Sequence, residues 1–346
     1  MPTKVTADGL AQLKKGIKDG GIGNLYVFYG PESYLKEYYL QEVIKLLVDD
    51  TFRMFNLEVF EGKALTPELL SNAIEGCPAM AERKVVVVKD FDLYKPPAGM
   101  QEALPTLLTD LPEYICLIFY YDILELKQDK RLKIHTLLSK NACFVEFSER
   151  SERELIDWVR RRFRALGKGI DDETCSYFLF LCGHSMTQLI TETEKAAAFS
   201  TLEYITQYHI DSVCTRVLDA VIFDLTDAIA DRSFSKAISI FEDLIAQKND
   251  EIQIFSSIMR HLQRLYAAKL ASQAQNGQRI LLEISGTRSS YYARKLIGAA
   301  RGLSLGWLRK AILSAAETDA ALKSSSADKQ KLVEFMLLNM ATGFEG

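Results

Sequence analysis

Five short apolar runs punctuate the first 148 residues: "LYVFYG" at 25–30, "FNLEVFEG" at 55–62, "KVVVVKDFD" at 84–92, "YICLIFYYD" at 114–122 and "ACFVEFS" at 142–148. The four consecutive valines from Val85 to Val88 leave no polar face, so a strand built from them has to be covered on both sides. The segments between the runs are amphipathic and long enough for crossover helices. The pattern predicts an α/β domain with a mostly parallel sheet.

After Ser148 the strand signal stops and helical periodicity takes over. "SERELIDWVRRRFRALGKG" offers Ser151 as a cap and an acidic first turn, places Leu155, Ile156, Val159 and Phe163 on one stripe, and ends at Gly167. Two further helices are predicted over roughly 172–182 and 186–199, and longer ones follow from Asp211 onward. The chain therefore divides into an α/β domain over 1–148, a small helical domain over 149–210 and an all-α domain over 211–346.

Composition changes this picture little. Of 346 residues 48% are hydrophobic and 25% charged, as in an ordinary globular protein, and the net charge of −4 exerts no global pull on nucleic acid or an anionic membrane. The longest apolar run is far too short to span a bilayer and the first twenty residues carry no apolar signal core, so a cytoplasmic location is expected. Cys77, Cys116, Cys143, Cys175, Cys182 and Cys214 show no C-x-x-C spacing and read as reduced core cysteines, not metal ligands. No cofactor is indicated, and although Ser185 follows His184, adjacent residues on a helix point apart, so the two make no catalytic pair.

One stretch poses a chemical question. Gly30 ends the first run and Lys36 follows six residues later, the spacing of a phosphate-binding glycine and lysine. Leu35 stands where the backbone needs glycine to curl round phosphates, and Glu37 where a hydroxyl should ligate magnesium. A second strand, "VVVVKD", ends in Lys89 and Asp90 without a carboxylate pair. The stretch reads as a degenerate P-loop without ATPase activity, with Gly30 as a tight turn and Lys36 as a solvated helix residue.

Two basic clusters are also candidates. Arg160, Arg161, Arg164 and Lys168 share a helix whose solvated face accounts for them, and Arg288, Arg294, Lys295 and Arg301 lie beside Tyr291 and Tyr292, where DNA stacking and subunit packing explain the residues equally well. Asp319 and Lys323 have the spacing of a helix ion pair.

"LYVFYGPESYLKEYY", "VVVVKDFD", "LITETEKAAAF", "VIFDLTDAIADRSFSKAISIFEDL", "YYARKLIGAAR" and "TDAALKSS", in this order, resemble the delta subunit of the bacterial DNA polymerase III clamp loader from about Asn24 to Met340. The resemblance implies an AAA+-like P-loop domain without ATPase activity, a helical lid and a helical collar. It implies a non-catalytic subunit of a DNA-directed DNA polymerase, a nucleotidyltransferase complex. Its partners would be the beta sliding clamp, which it binds and opens, the tau or gamma ATPase subunits, delta-prime, and primed DNA through the assembled complex.

In "TPELLSNAIEGCPAMAERKVVVV", Thr66 is the cap and Pro67 the first helical residue, Leu69, Leu70, Ala73 and Ile74 form the inward stripe, and Gly76 ends the helix. The family presents a pair of exposed apolar side chains just beyond such a helix. Carried onto this chain, the clamp-binding residues are Pro78, Ala79 and Met80, with Ala79 smaller than the family's usual residue. The competing readings are an active AAA+ ATPase and a single-strand DNA-binding helical module.

Overall fold

The computed structural model describes residues 9–231, 233–274, 276–285, 289–324 and 326–342. The chain falls into two compact units, Met1–Arg150 and Ser151–Gly346.

The first unit is built on a five-stranded parallel sheet. Its elements run α1 (Gly9–Asp19), β1 (Leu25–Tyr29), α2 (Ser33–Leu47), α3 (Arg53–Asn56), β2 (Leu57–Glu61), α4 (Pro67–Glu75), β3 (Lys84–Lys89), α5 (Ala98–Thr109), β4 (Ile115–Tyr120), α6 (Lys133–Asn141) and β5 (Cys143–Glu146). The strand order is β2-β3-β4-β1-β5, and all four pairings are parallel. This is the predicted class, and the valine run shows why. Val86 and Val88 point into a core with α4, α5 and α6, while Val85 and Val87 point into a second core with α1 and α2. Successive side chains of a strand face opposite ways, so a sheet with helices on both faces needs apolar residues at every position.

Each of the five strands is shorter than the apolar run that predicts it, and two of them show why. Residues 55 and 56 close α3 before β2 begins, and β3 ends at Lys89, because Asp90 takes a positive φ of 51° that leaves the strand region.

Among its described residues the second unit is helical: α7 (Glu152–Ala165), α8 (Asp172–Cys182), α9 (Met186–Phe199), α10 (Gln207–Val213), α11 (Leu218–Ala230), α12 (Phe234–Ala246), α13 (Glu251–Ala271), α14 (Gly277–Ser285), α15 (Ser290–Arg301), α16 (Leu305–Ser324) and α17 (Lys329–Thr342). The predicted start of α7 is present in full. Ser151 Oγ accepts from the Glu154 amide while the Glu154 carboxylate accepts from the Ser151 amide, and Leu155, Val159 and Phe163 are buried. The described part of α11–α17 packs around Phe241, Ile254, Ile258, Ala311 and Val333. Among the described residues no helix is long and apolar enough to cross a membrane.

Candidate functional site

In open parallel sheets ligands bind outside the carboxyl ends of the strands. Here the ends of the neighbouring strands β1 and β4 meet the first turn of α2. Gly30 makes the turn with φ +113°, and a Cβ there would stand 2.5 Å from the Phe147 carbonyl oxygen, so glycine is required on two counts. The Glu32 amide donates to that same carbonyl at 2.9 Å, and the Glu32 carboxylate caps α2 by accepting from the Tyr34 amide at 3.1 Å.

Lys36 departs from expectation. It is 2% exposed, and its Nζ donates to the carbonyl oxygens of Gly30 at 3.0 Å and Tyr121 at 2.5 Å. Asp122 Oδ1 lies 3.9 Å away and the Tyr120 ring centroid 5.2 Å away. Burial pulls its ammonium below the usual lysine value, while Asp122, Asp90 and Glu32 pull it back up. The reason is positional: a residue one turn into α2 faces the strand ends, whose last carbonyls have no ladder partner, and an ammonium satisfies them. A phosphate at this turn would have to compete with two carbonyls for the same donors.

The neighbouring groups are committed as well. Leu35 packs against the core beneath α2, and exposed Glu37 accepts from the Gln41 side chain at 2.7 Å. Asp90 Oδ1 accepts from three successive amides, those of Asp122, Ile123 and Leu124, at 2.8, 3.0 and 2.8 Å. Lys89 lies over the Tyr120 ring at 5.8 Å.

The second candidate lies between α4 and β3. Thr66 caps α4 by accepting from the Leu69 amide at 3.3 Å, and Leu70, Ala73 and Ile74 are buried. Leu69, expected on the inward stripe, is 43% exposed. At about 100° of turn per residue it stands at the edge of the face that Leu70, Ala73 and Ile74 share. The chain leaves α4 at Gly76, whose Cβ would meet Lys84 Nζ at 3.0 Å; that ammonium is itself buried and paired with Glu58 at 2.6 Å.

Beyond Gly76, Pro78 and Ala79 are half-buried, and Met80 is 86% exposed with φ +51°. The methionine does not fold back into its own core. The backbone that carries it is fixed by Asn56, a side chain with no exposed surface: its Nδ2 donates to the Ala79 carbonyl at 2.9 Å, and its Oδ1 accepts from the Ala79 amide at 2.8 Å. Sequence reading missed Asn56. Its only signal was an amide residue at the start of an apolar run, and the pairing spans 23 residues of chain.

The other candidates are placed less suggestively. Lys295 Nζ sits over the rings of Phe180 and Phe223 at 4.7 and 4.9 Å, and exposed Arg294 lies over the Tyr291 ring at 5.9 Å. Arg288 lies outside the described residues. Arg160 pairs with Asp172 at 3.0 Å, Lys168 donates to the carbonyls of Ser200 and Leu202 at 2.7 Å each, and Lys323 pairs with Asp319 at 2.6 Å.

Among the described residues one buried cluster has metal-ligand chemistry: the donor atoms of Cys182, Glu192 and Cys214 lie within 4.8 Å of one another. Contact with Cys214, and then burial, push the Cys182 thiol up. The Glu192 carboxylate already takes Lys195 Nζ at 2.7 Å and the Thr215 amide at 2.8 Å.

Comparison with known proteins agrees across the chain. Residues 26–148 match the family model "DNA polymerase III, delta subunit" and residues 219–340 match "DNA polymerase III delta subunit, C-terminal domain". The DNA polymerase III subunit delta of Bacillus subtilis is 27% identical over 336 residues, covering 94% of this chain and 95% of that protein. A probable DNA polymerase III subunit delta of Aquifex aeolicus is 20% identical, covering 90% of each. The solved structure of the Bacillus subtilis DNA clamp loader delta protein superposes with a TM-score of 0.57 at 25% identity, covering 96% of this chain and 99% of that one. With the parallel sheet and the helical remainder in place, the chain belongs to the DNA polymerase III delta subunit family, a component of the clamp loader.

Proposed function

We propose that this chain docks on the beta sliding clamp through Pro78, Ala79 and Met80 and opens it without hydrolysing ATP itself. The observation that carries the reading is Met80: a large apolar side chain, 86% exposed, at the tip of a turn whose backbone is pinned from inside. An unbranched thioether fills an irregular apolar pocket with little strain, and a fixed backbone loses little freedom on docking. Clamp opening follows if the docked state fits an opened or strained clamp better than a closed one, since a ligand shifts an equilibrium only through differential affinity.

The commitment of Lys36 to two carbonyls and of Asp90 to three amides supports a non-catalytic role, with ATP acting from neighbouring tau or gamma subunits. In this reading residues 149–210 are the lid and 211–346 the collar that meets those subunits and delta-prime, and the assembly meets primed DNA in the cytoplasm. Lys295 serves packing, since its ammonium already rests on two rings. Calorimetric titration of the full chain into the sliding clamp of the same organism tests the docking. Tight binding that a folded Ala79→Asp/Met80→Asp variant loses is the expected result, and equal binding by that variant would sink the reading.

A further inference from the structure

Asn56 does more than hold Ala79. It is the last residue of α3, so the side chain that fixes the turn also ties it to that helix, and the two residues before it are both apolar and open to solvent. Met54 is 85% exposed and Phe55 60%. The segment that presents them is ordered from its start, where the Asp49 carboxylate accepts from the Thr51 amide at 2.8 Å and opens a short 3₁₀ turn running into α3.

Consecutive Cα atoms are about 3.8 Å apart and a side-chain hydrogen bond bridges Asn56 to Ala79, so the Cα atoms of Phe55 and Met80 lie within roughly 15 Å of each other. That distance fits inside the footprint of a standard interface, which buries about 800 Å² on each partner. The turn alone falls well short of such an area, because Pro78 is half-buried and Ala79 offers a methyl group. A fully exposed aromatic side chain buries on the order of 150–250 Å² when covered, of which Phe55 at 60% exposure still offers somewhat more than half, and large apolar side chains grouped at one place on a surface mark a contact, where scattered single ones do not.

We propose that the clamp docks on a two-part apolar surface, made of the turn at residues 78–80 and of Met54 and Phe55 on α3, with Asn56 as the positioning residue that keeps the two parts in register. The inference rests on the docking reading above and deepens it: α3 supplies the apolar area that Ala79 does not.

The test is a titration of the full chain into the clamp with four variants: Phe55→Ala, Met54→Ala, Met80→Asp, and Leu313→Ala as a control of comparable exposure (63%) in the other unit. The expected result is a loss of about tenfold or more in affinity for Phe55→Ala, a smaller loss for Met54→Ala, and none for Leu313→Ala, with circular dichroism unchanged throughout. Hydrogen exchange on the unaltered chain gives a variant-free readout, in which clamp binding slows exchange over residues 53–56. If both α3 variants bind within about twofold of the native chain while Met80→Asp abolishes binding, the two-part surface is wrong and the docking reading stands. A native chain that leaves the clamp unbound, alone and in the assembled loader, overturns both.

Discussion

Lys36 and Met80 stand at turns beside strands of the same sheet, and each is placed against the usual preference of its side chain. The charged residue is 2% exposed and the apolar one 86% exposed. At the first turn the Lys36 ammonium faces inward and is used by two carbonyls, and the Asp90 carboxylate is used by three amides. At the second turn the polar work is done from below by Asn56, which leaves the apolar side chain outside. The contrast separates a turn whose polar groups are satisfied by its own chain from one that is held rigid while a large apolar side chain stands in solvent.

Four changes break or sharpen the comparison. Gly30→Ala strikes the closed turn hardest, because it combines a positive φ with a collision against the Phe147 carbonyl; a loss of about 3 kcal/mol or more is expected in denaturant unfolding. Asn56→Ala strikes the open turn: two backbone groups of Ala79 lose their buried partner, stability falls by about 2 kcal/mol, and clamp affinity falls with it because Met80 is no longer held. Lys36→Met removes the ammonium but keeps the apolar stem, so the two carbonyls go unpaired while the desolvation cost of the charge also disappears. The net loss expected in the same unfolding assay is about 1–2 kcal/mol, with no change in the response to magnesium-ATP.

The one effect that vanishes at neutral pH concerns a buried ring in the second unit. His261 Nδ1 meets the Tyr292 hydroxyl at 3.1 Å, but Nε2 has no hydrogen-bond partner, and burial together with Arg264 pulls its pKa down from 6.5 to about 3. The folded value lies below the unfolded one, so the unfolded chain takes up the proton first. Stability is therefore full above pH 6.5 and declines as pH falls towards about 3, by up to about 1.4 kcal/mol per pH unit from this group. His261→Phe is expected to remove that slope from the acid limb of a stability-versus-pH curve.

Much of the fold was legible in the sequence for physical reasons that these residues display. A run such as Val85 to Val88 announces a strand covered on both faces, and Ser151 with Glu154 announces a helix start, because both signals are local. The burial of Lys36 was not legible, since its partners lie at Gly30 and Tyr121 and only the sheet brings those two carbonyls together. Asn56 stayed hidden for the same reason, its partner being 23 residues away. Leu69 is exposed because, at about 100° of turn per residue, it lies at the edge of the face that Leu70, Ala73 and Ile74 bury. Periodicity alone gave no reason to expose Met80; that expectation came through family resemblance, and the side chain does stand in solvent.

The most direct test sets both turns in one calorimeter: the native chain titrated with the sliding clamp and, separately, with magnesium-ATP, each repeated for Met80→Asp and Lys36→Met. The account predicts saturable heat with the clamp that Met80→Asp abolishes and Lys36→Met spares, and none with the nucleotide. Nucleotide binding that Lys36→Met removes, alongside clamp binding indifferent to Met80, would contradict it.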